Sequence, residues 1–199
     1  MAEEDSTKMP DEPNSITTMK RFYGDRMALL SGEDLEAEMI GGNDRSCIIT
    51  VASLADSVLE HVVFLNLPGL KGATQQEFEY AFRFEGPLGM FSARIEMAKY
   101  LGILDNRICE QLHDLRAMRN AVAHTKRRVT FEDKQLQNVA KRLFSPRGLF
   151  KLLDESAEGY RRTFIAEGNL LYNMILEGRE EGMRLAREVF IQGGRKAPF

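Results

Sequence analysis

The sequence has no tryptophan, two cysteines, three histidines and no apolar run long enough to cross a bilayer. Each scarcity excludes something. Cys47 and Cys109 fall inside apolar helical patterns and lack a CxxC companion, so they read as buried thiols acting as small hydrophobes, and a zinc centre is not expected. No metal or other cofactor is implied anywhere in the chain. A membrane span would need roughly 18 or more apolar residues, and none is expected here. The start, Met1-Ala2-Glu3-Glu4-Asp5, is acidic and lacks the basic and apolar regions of a secretory signal, which makes a cytoplasmic location the expectation. An excess of positive charge is also missing. Lys and Arg total 27 against 30 Asp and Glu, for a net charge of −3. Proteins that coat duplex DNA are usually basic overall or on one face, so direct specific DNA binding is not expected, although a local basic patch is compatible with this balance.

What is present is apolar bulk. Hydrophobic residues make up 43% of the 199 positions, with twelve Phe and ten Met. That is enough for one domain with short appendages, while two full domains would be crowded. Residues 1–15 hold Glu3, Glu4, Asp5, Pro10, Asp11, Glu12 and Pro13 with almost nothing apolar and read as a disordered acidic tail. Residues 16–42 carry two short helical pieces ending at Gly41-Gly42. A helical bundle is expected over residues 43–155, and a further helical segment over 156–199.

Within the bundle, Asn43 or Asp44 caps a helix whose stripe is Cys47, Val51, Leu54, Val58, Val62 and Leu65, widened by Ile48, Ala55 and Leu59. Pro68-Gly69 stops it. Thr74-Gln75-Gln76-Glu77 forms a capping box opening a short helix with Phe78, Phe82 and Phe84. After Gly86-Pro87-Leu88-Gly89 comes a helix with Phe91, Ile95, Ala98 and Leu101 inward, closed by Gly102. Asp105 caps a helix with the stripe Ile108, Leu112, Leu115, Met118 and Val122. Thr130 caps another, with Leu136, Val139, Ala140 and Leu143 inward, and Ser145-Pro146-Arg147 breaks the chain. A long stretch from about Ser156 to Phe190 follows, with Tyr160, Phe164, Leu171, Ile175, Leu185, Val189 and Phe190 apolar and a bend expected at Gly178 and Gly182. Alternating period-two runs do not persist, so the fold class is all-α.

The residues with chemical potential close the Asp105 helix: Arg119-Asn120-Ala121-Val122-Ala123-His124. Residues four apart share a helix face, so Arg116, Asn120 and His124 stand in line, with His113 just offset. Arg119 lies about 140° round the helix from His124 and meets it only through a distorted helix end or a second subunit. A histidine can exchange protons near neutral pH, and an arginine fork suits the added charge of a phosphorane. Asn120 could orient the imidazole or hold a phosphate oxygen. Lys126, Arg127 and Arg128 follow at once and could hold a nucleic-acid backbone. The plainer reading is equally chemical: cations at a helix C-terminus cap its carbonyls and complement its dipole, worth ~0.3–1 kcal/mol.

The strings Gly86-Pro87-Leu88-Gly89-Met90-Phe91-Ser92-Ala93-Arg94-Ile95, Leu101-Gly102-Ile103 and Leu115 to His124 resemble the mannitol operon repressor (MltR/MtlR) family, over roughly Ile48 to Phe150. The Arg-Asn-x-x-x-His pattern is shared with the wider HEPN superfamily. That resemblance implies an antiparallel HEPN-like bundle with extra N- and C-terminal helices, forming a homodimer. It implies a transcriptional or regulatory protein acting through protein or RNA contacts, without its own DNA-binding motif. The alternative it implies is a metal-independent endoribonuclease in which Arg119, Asn120 and His124 are the matching positions, leaving enzymatic activity undecided. Arg116, Lys126, Arg127 and Arg128 would then be binding residues. Arg94 joins that cluster or, on the plainer reading, pairs with a carboxylate such as Glu85 or Glu96.

Overall fold

The structure is a computed structural model that describes residues 40, 42–70, 73–144 and 154–193, the last fifteen of these by their backbone alone. The expectations for residues 1–15, for most of 16–42, for the Ser145-Pro146-Arg147 break and for the side chains of Leu185, Val189 and Phe190 lie outside the described residues. Among those residues the secondary structure is helical throughout: α1 (Asp44–Asn66), a 3-10 turn (Pro68–Leu70), α2 (Gln75–Phe82), α3 (Phe91–Tyr100), α4 (Asn106–His124), α5 (Lys134–Phe144) and α6 (Ala157–Gly193).

Helix α1 is the hub. It packs against α3, α4 and α6, while α5 bridges α4 and α6. Asn43 is its N-cap, accepting the Ser46 N–H at 3.0 Å, and Asp44 occupies its first turn. The expected stripe is present with a shifted centre. Cys47, Ile48, Val51, Ala55, Val58, Leu59 and Val62 are buried, whereas Leu54 and Leu65 are only half-buried. Ala52 and Val63 also turn inward because α1 has neighbours on more than one side. Length and apolar composition would let α1 cross a membrane, but its apolar face is consumed in the bundle core.

The capping box at α2 forms as the sequence dictates. Thr74 Oγ1 accepts from the Glu77 N–H, and the Glu77 carboxylate accepts from the Thr74 N–H at 2.8 Å. Phe78 and Phe82 are buried and meet Phe64 edge-to-face across the α1–α2 seam, but Phe84 is 79% exposed, because the helix ends at Phe82 and the chain turns away. The Gly-Pro-Leu-Gly turn folds back onto the end of α2. Its Leu88 N–H donates to the Ala81 carbonyl at 2.9 Å. A Cβ on Gly86 or Gly89 would overlap the carbonyl oxygens of Tyr80 or Arg83, so both positions require glycine for space.

Helix α3 buries Phe91, Ile95 and Ala98, while Leu101 stays 36% exposed at its C-cap. Gly102 follows with φ +68°, a conformation that L side chains rarely adopt. Asp105 caps α4 by accepting the Ile108 N–H at 2.8 Å, and the whole expected stripe of α4 is buried. Helix α5 starts later than the sequence signals implied. Thr130 accepts from Glu132 N–H in a local turn, and Asp133, accepting from Gln135 N–H at 2.7 Å, sits at the helix entry. Phe131, in the segment between, is fully buried against Phe164.

Helix α6 is not broken at Gly178 or Gly182: it runs continuously from Ala157 to Gly193. Gly178 has another use. A Cβ there would stand 2.6 Å from the Ile103 carbonyl oxygen, so the missing side chain lets α6 lie close against the α3–α4 turn. Sequence rules treat a mid-helix glycine as a breaker, but here tertiary packing overrides its propensity cost of ~1 kcal/mol.

Candidate functional site

Because Ile108, Leu112, Leu115, Met118 and Val122 face the core, α4 must turn its other side outward. Arg116, Arg119 and Asn120 are half-buried there, and Ala117, Ala121, Ala123 and His124 are exposed. Arg119 donates from Nη1 to Asn120 Oδ1 at 3.0 Å, so the structure joins these two candidates. His124 is the last residue of α4, and its side chain forms no hydrogen bond among the described residues. Helix α4 keeps its α-helical form to His124, which removes the distorted helix end as a way for Arg119 to reach it. A single chain therefore does not pair them. The Nε of Arg116 is enclosed without an acceptor among the described residues. His113, just offset, contacts Glu96 of α3 at 2.9 Å and so belongs to an α3–α4 tie.

Arg94 occupies a different place. Its side chain is buried, with Nε and Nη2 on Asp56 Oδ1 at 2.9 and 2.6 Å and Nη1 on Glu60 Oε2 at 3.0 Å. The same Nη1 donates to the Leu88 carbonyl at 2.8 Å. One guanidinium thus ties α3, α1 and the Gly-Pro-Leu-Gly turn together. Glu85 and Glu96 are not its partners: the acceptors come from the neighbouring helix α1, which no local spacing reveals. Burial raises the Asp56 carboxyl above its ordinary range, against the opposing pull of Arg94 and, more weakly, Arg119. Arg119 therefore sits in the electrostatic reach of this cluster without being bonded into it.

Lys126, Arg127 and Arg128 are exposed. What the sequence concealed is how the loop is held. Arg45, on the first turn of α1, donates from Nη1 to the Thr125 carbonyl at 2.9 Å and from Nη2 to the Arg127 carbonyl. Asp44 accepts the Phe131 N–H at 2.8 Å and Arg161 Nη1 at 2.9 Å. The basic segment is thereby fixed across the entrance of α1. Arg45, Asp44 and Arg161 carry no local motif that would have announced this function.

Both cysteines are buried and free, and burial pushes the Cys47 thiol up to about 11. Among the described residues no group of three His, Cys, Asp or Glu side chains is placed to hold a metal ion.

These features define an all-helical bundle with one buried ionic tie and one open polar helix end. No protein-family model and no curated protein sequence matches the chain. Among solved structures it is similar to a chain of the X-ray structure of the MtlR–HPr complex from Escherichia coli, with TM-score 0.55 and 18% sequence identity, over 72% of this chain and 97% of that one. At this identity the likeness shows a shared helical fold.

Proposed function

We propose that this chain is a regulatory helical module that works through contact with a protein partner, in the manner of the mannitol repressor, as a homodimer of HEPN-like bundles without a DNA-binding motif. The observation that carries the reading is the fold likeness to a chain of a complex between MtlR and HPr, which spans nearly all of that chain. The state of the Arg119–His124 segment supports it. Arg119 is engaged with Asn120, and among the described residues the His124 side chain stands apart from it. Small exposed residues, Ala117, Ala121 and Ala123 on α4 with Ser53 and Ser57 on α1, leave room for a flat macromolecular contact.

A second reading keeps its own support. The Arg-Asn-x-x-x-His pattern is intact at an accessible helix end, and a second copy could bring His124 of one chain to Arg119 of the other. That arrangement would make a metal-independent endoribonuclease, with Arg116, Lys126, Arg127 and Arg128 holding RNA.

The experiment titrates the purified chain with HPr and, in parallel, incubates it with labelled RNA in EDTA beside His124→Ala. The regulatory reading expects saturable protein binding and equal RNA background in both proteins. RNA cleavage abolished by His124→Ala would overturn it in favour of the nuclease.

A further inference from the structure

We propose that the cavity at the entrance of α1 binds a phosphate monoester. It has a volume of about 420 Å³ and lies where the first turn of α1 meets the loop leaving α4. Asn43, Asp44, Arg45, Arg128, Thr130 and Arg161 line it. Three arginines and one aspartate thus line it, in a chain whose net charge is −3. That carboxylate is already engaged, with Oδ1 on Arg161 and Oδ2 on the Phe131 N–H.

The arginines divide into two kinds. Arg45 and Arg161 are held in place by backbone carbonyls: Thr125 and Arg127 for the first, Ile40 and Gly42 at 2.8 Å for the second. With the bond of Arg161 Nη1 to Asp44, these contacts fix both guanidinium groups and leave each Nε–H, and on Arg45 one N–H of each terminal nitrogen, unused at the cavity wall. Arg128 is different. It is exposed and makes no hydrogen bond or ion pair among the described residues, although it lines the same cavity. Its fork is the group free to close on a ligand.

The neutral lining adds donors. Asn43 Oδ1 is taken by Ser46, which leaves the Asn43 amide hydrogens, and the Thr130 oxygen accepts from Glu132 while keeping its own O–H. A wall rich in donors fits an acceptor-only ligand. A phosphate monoester presents three terminal oxygens and up to two negative charges, and so matches convergent forks better than a single carboxylate does. The volume falls in the ~300–1,000 Å³ range of small-molecule sites, which leaves room for the organic part of the ester. This site shares Arg128 with the ribonuclease reading and does not depend on the protein-contact reading.

The test titrates the full chain with inorganic phosphate, glycerol 3-phosphate and a phosphoserine peptide, read by calorimetry and by thermal shift. Wild type, Arg128→Ala and Arg128→Lys are compared. Saturable binding of a monoester and a raised melting temperature are expected, with affinity about ten-fold or more weaker in Arg128→Ala, as loss of a charged hydrogen bond implies. Arg128→Lys should retain part of it, and added salt should weaken all of it. Tighter binding of glycerol 3-phosphate would point to a small metabolite, and of the peptide to a phosphorylated residue. The proposal fails if no probe binds saturably, if inorganic phosphate alone binds, or if Arg128→Ala binds as tightly as wild type. Because Arg128 holds nothing in the fold, the ligand-free melting temperatures of the three proteins should coincide.

Discussion

Arg94 and Arg119 stand on neighbouring helices, α3 and α4, that both pack on α1. Arg94 is withdrawn from water and has two carboxylates and a carbonyl as partners, all from other segments. Arg119 is half-buried, and among the described residues its side chain bonds only the next residue on its own helix. The comparison separates architecture from surface. The string around Arg94, which carries the most specific part of the mannitol-repressor resemblance, is accounted for by packing. Gly86 and Gly89 admit the α2 carbonyls, Leu88, Phe91 and Ile95 enter the core, and Arg94 locks the turn. In the Arg119–His124 segment Val122 enters the core, but among the described residues none of the polar side chains ties a second element.

The largest test of this division is Arg94→Ala. It would leave Asp56 and the buried Glu60 without their shared cation, and we expect a loss of about 3–5 kcal/mol in urea unfolding. Next comes Arg45→Ala, which releases the Thr125 and Arg127 carbonyls. The expected cost is roughly 1–3 kcal/mol, with faster amide exchange confined to residues 125–131. Gly178→Ala gains ~1 kcal/mol in helix propensity but forces a methyl against the rigid Ile103 carbonyl. A net destabilisation of about 1 kcal/mol is the outcome that fits a packing role; a stabilised variant would return Gly178 to the status of a helix breaker.

Two smaller effects concern ionisation. Cys47 is fully buried with its thiol pushed up to about 11, so native protein should resist alkylation there at neutral pH and react once unfolded in urea. Glu77 is held below its ordinary value of 4.5 by the Thr74 N–H and hydroxyl. A folded value below the unfolded one means that this contribution is present above the unfolded carboxylate value and disappears as pH falls through the folded one. The protection factors of the amides at the start of α2, taken against the intrinsic exchange rate at each pH, should therefore fall on acidification, and Glu77→Gln should flatten that dependence.

Local signals were legible where local chemistry decides. The Asn43, Thr74 and Asp105 caps, the Gly102 terminator and the α4 stripe all follow from short-range spacing, and each is present. Features that depend on partners distant in sequence were hidden. Phe131 sits in no periodic run, yet it is enclosed because α6 brings Phe164 over it. The acceptors of Arg94 lie on α1, and the Arg45 clamp links residues 80 positions apart. The candidate site divides in the same way. Spacing identified the line Arg116, Asn120 and His124 on α4, of which only His124 is exposed, while the anchoring of the basic loop came from α1 and α6.

The most direct measurement places Arg94→Ala beside the double variant Arg119→Ala/His124→Ala in urea unfolding. The account predicts a loss of about 3–5 kcal/mol for the first and less than about 1 kcal/mol for the second. Comparable losses in both would contradict it, because the Arg119–His124 segment would then be holding the bundle together.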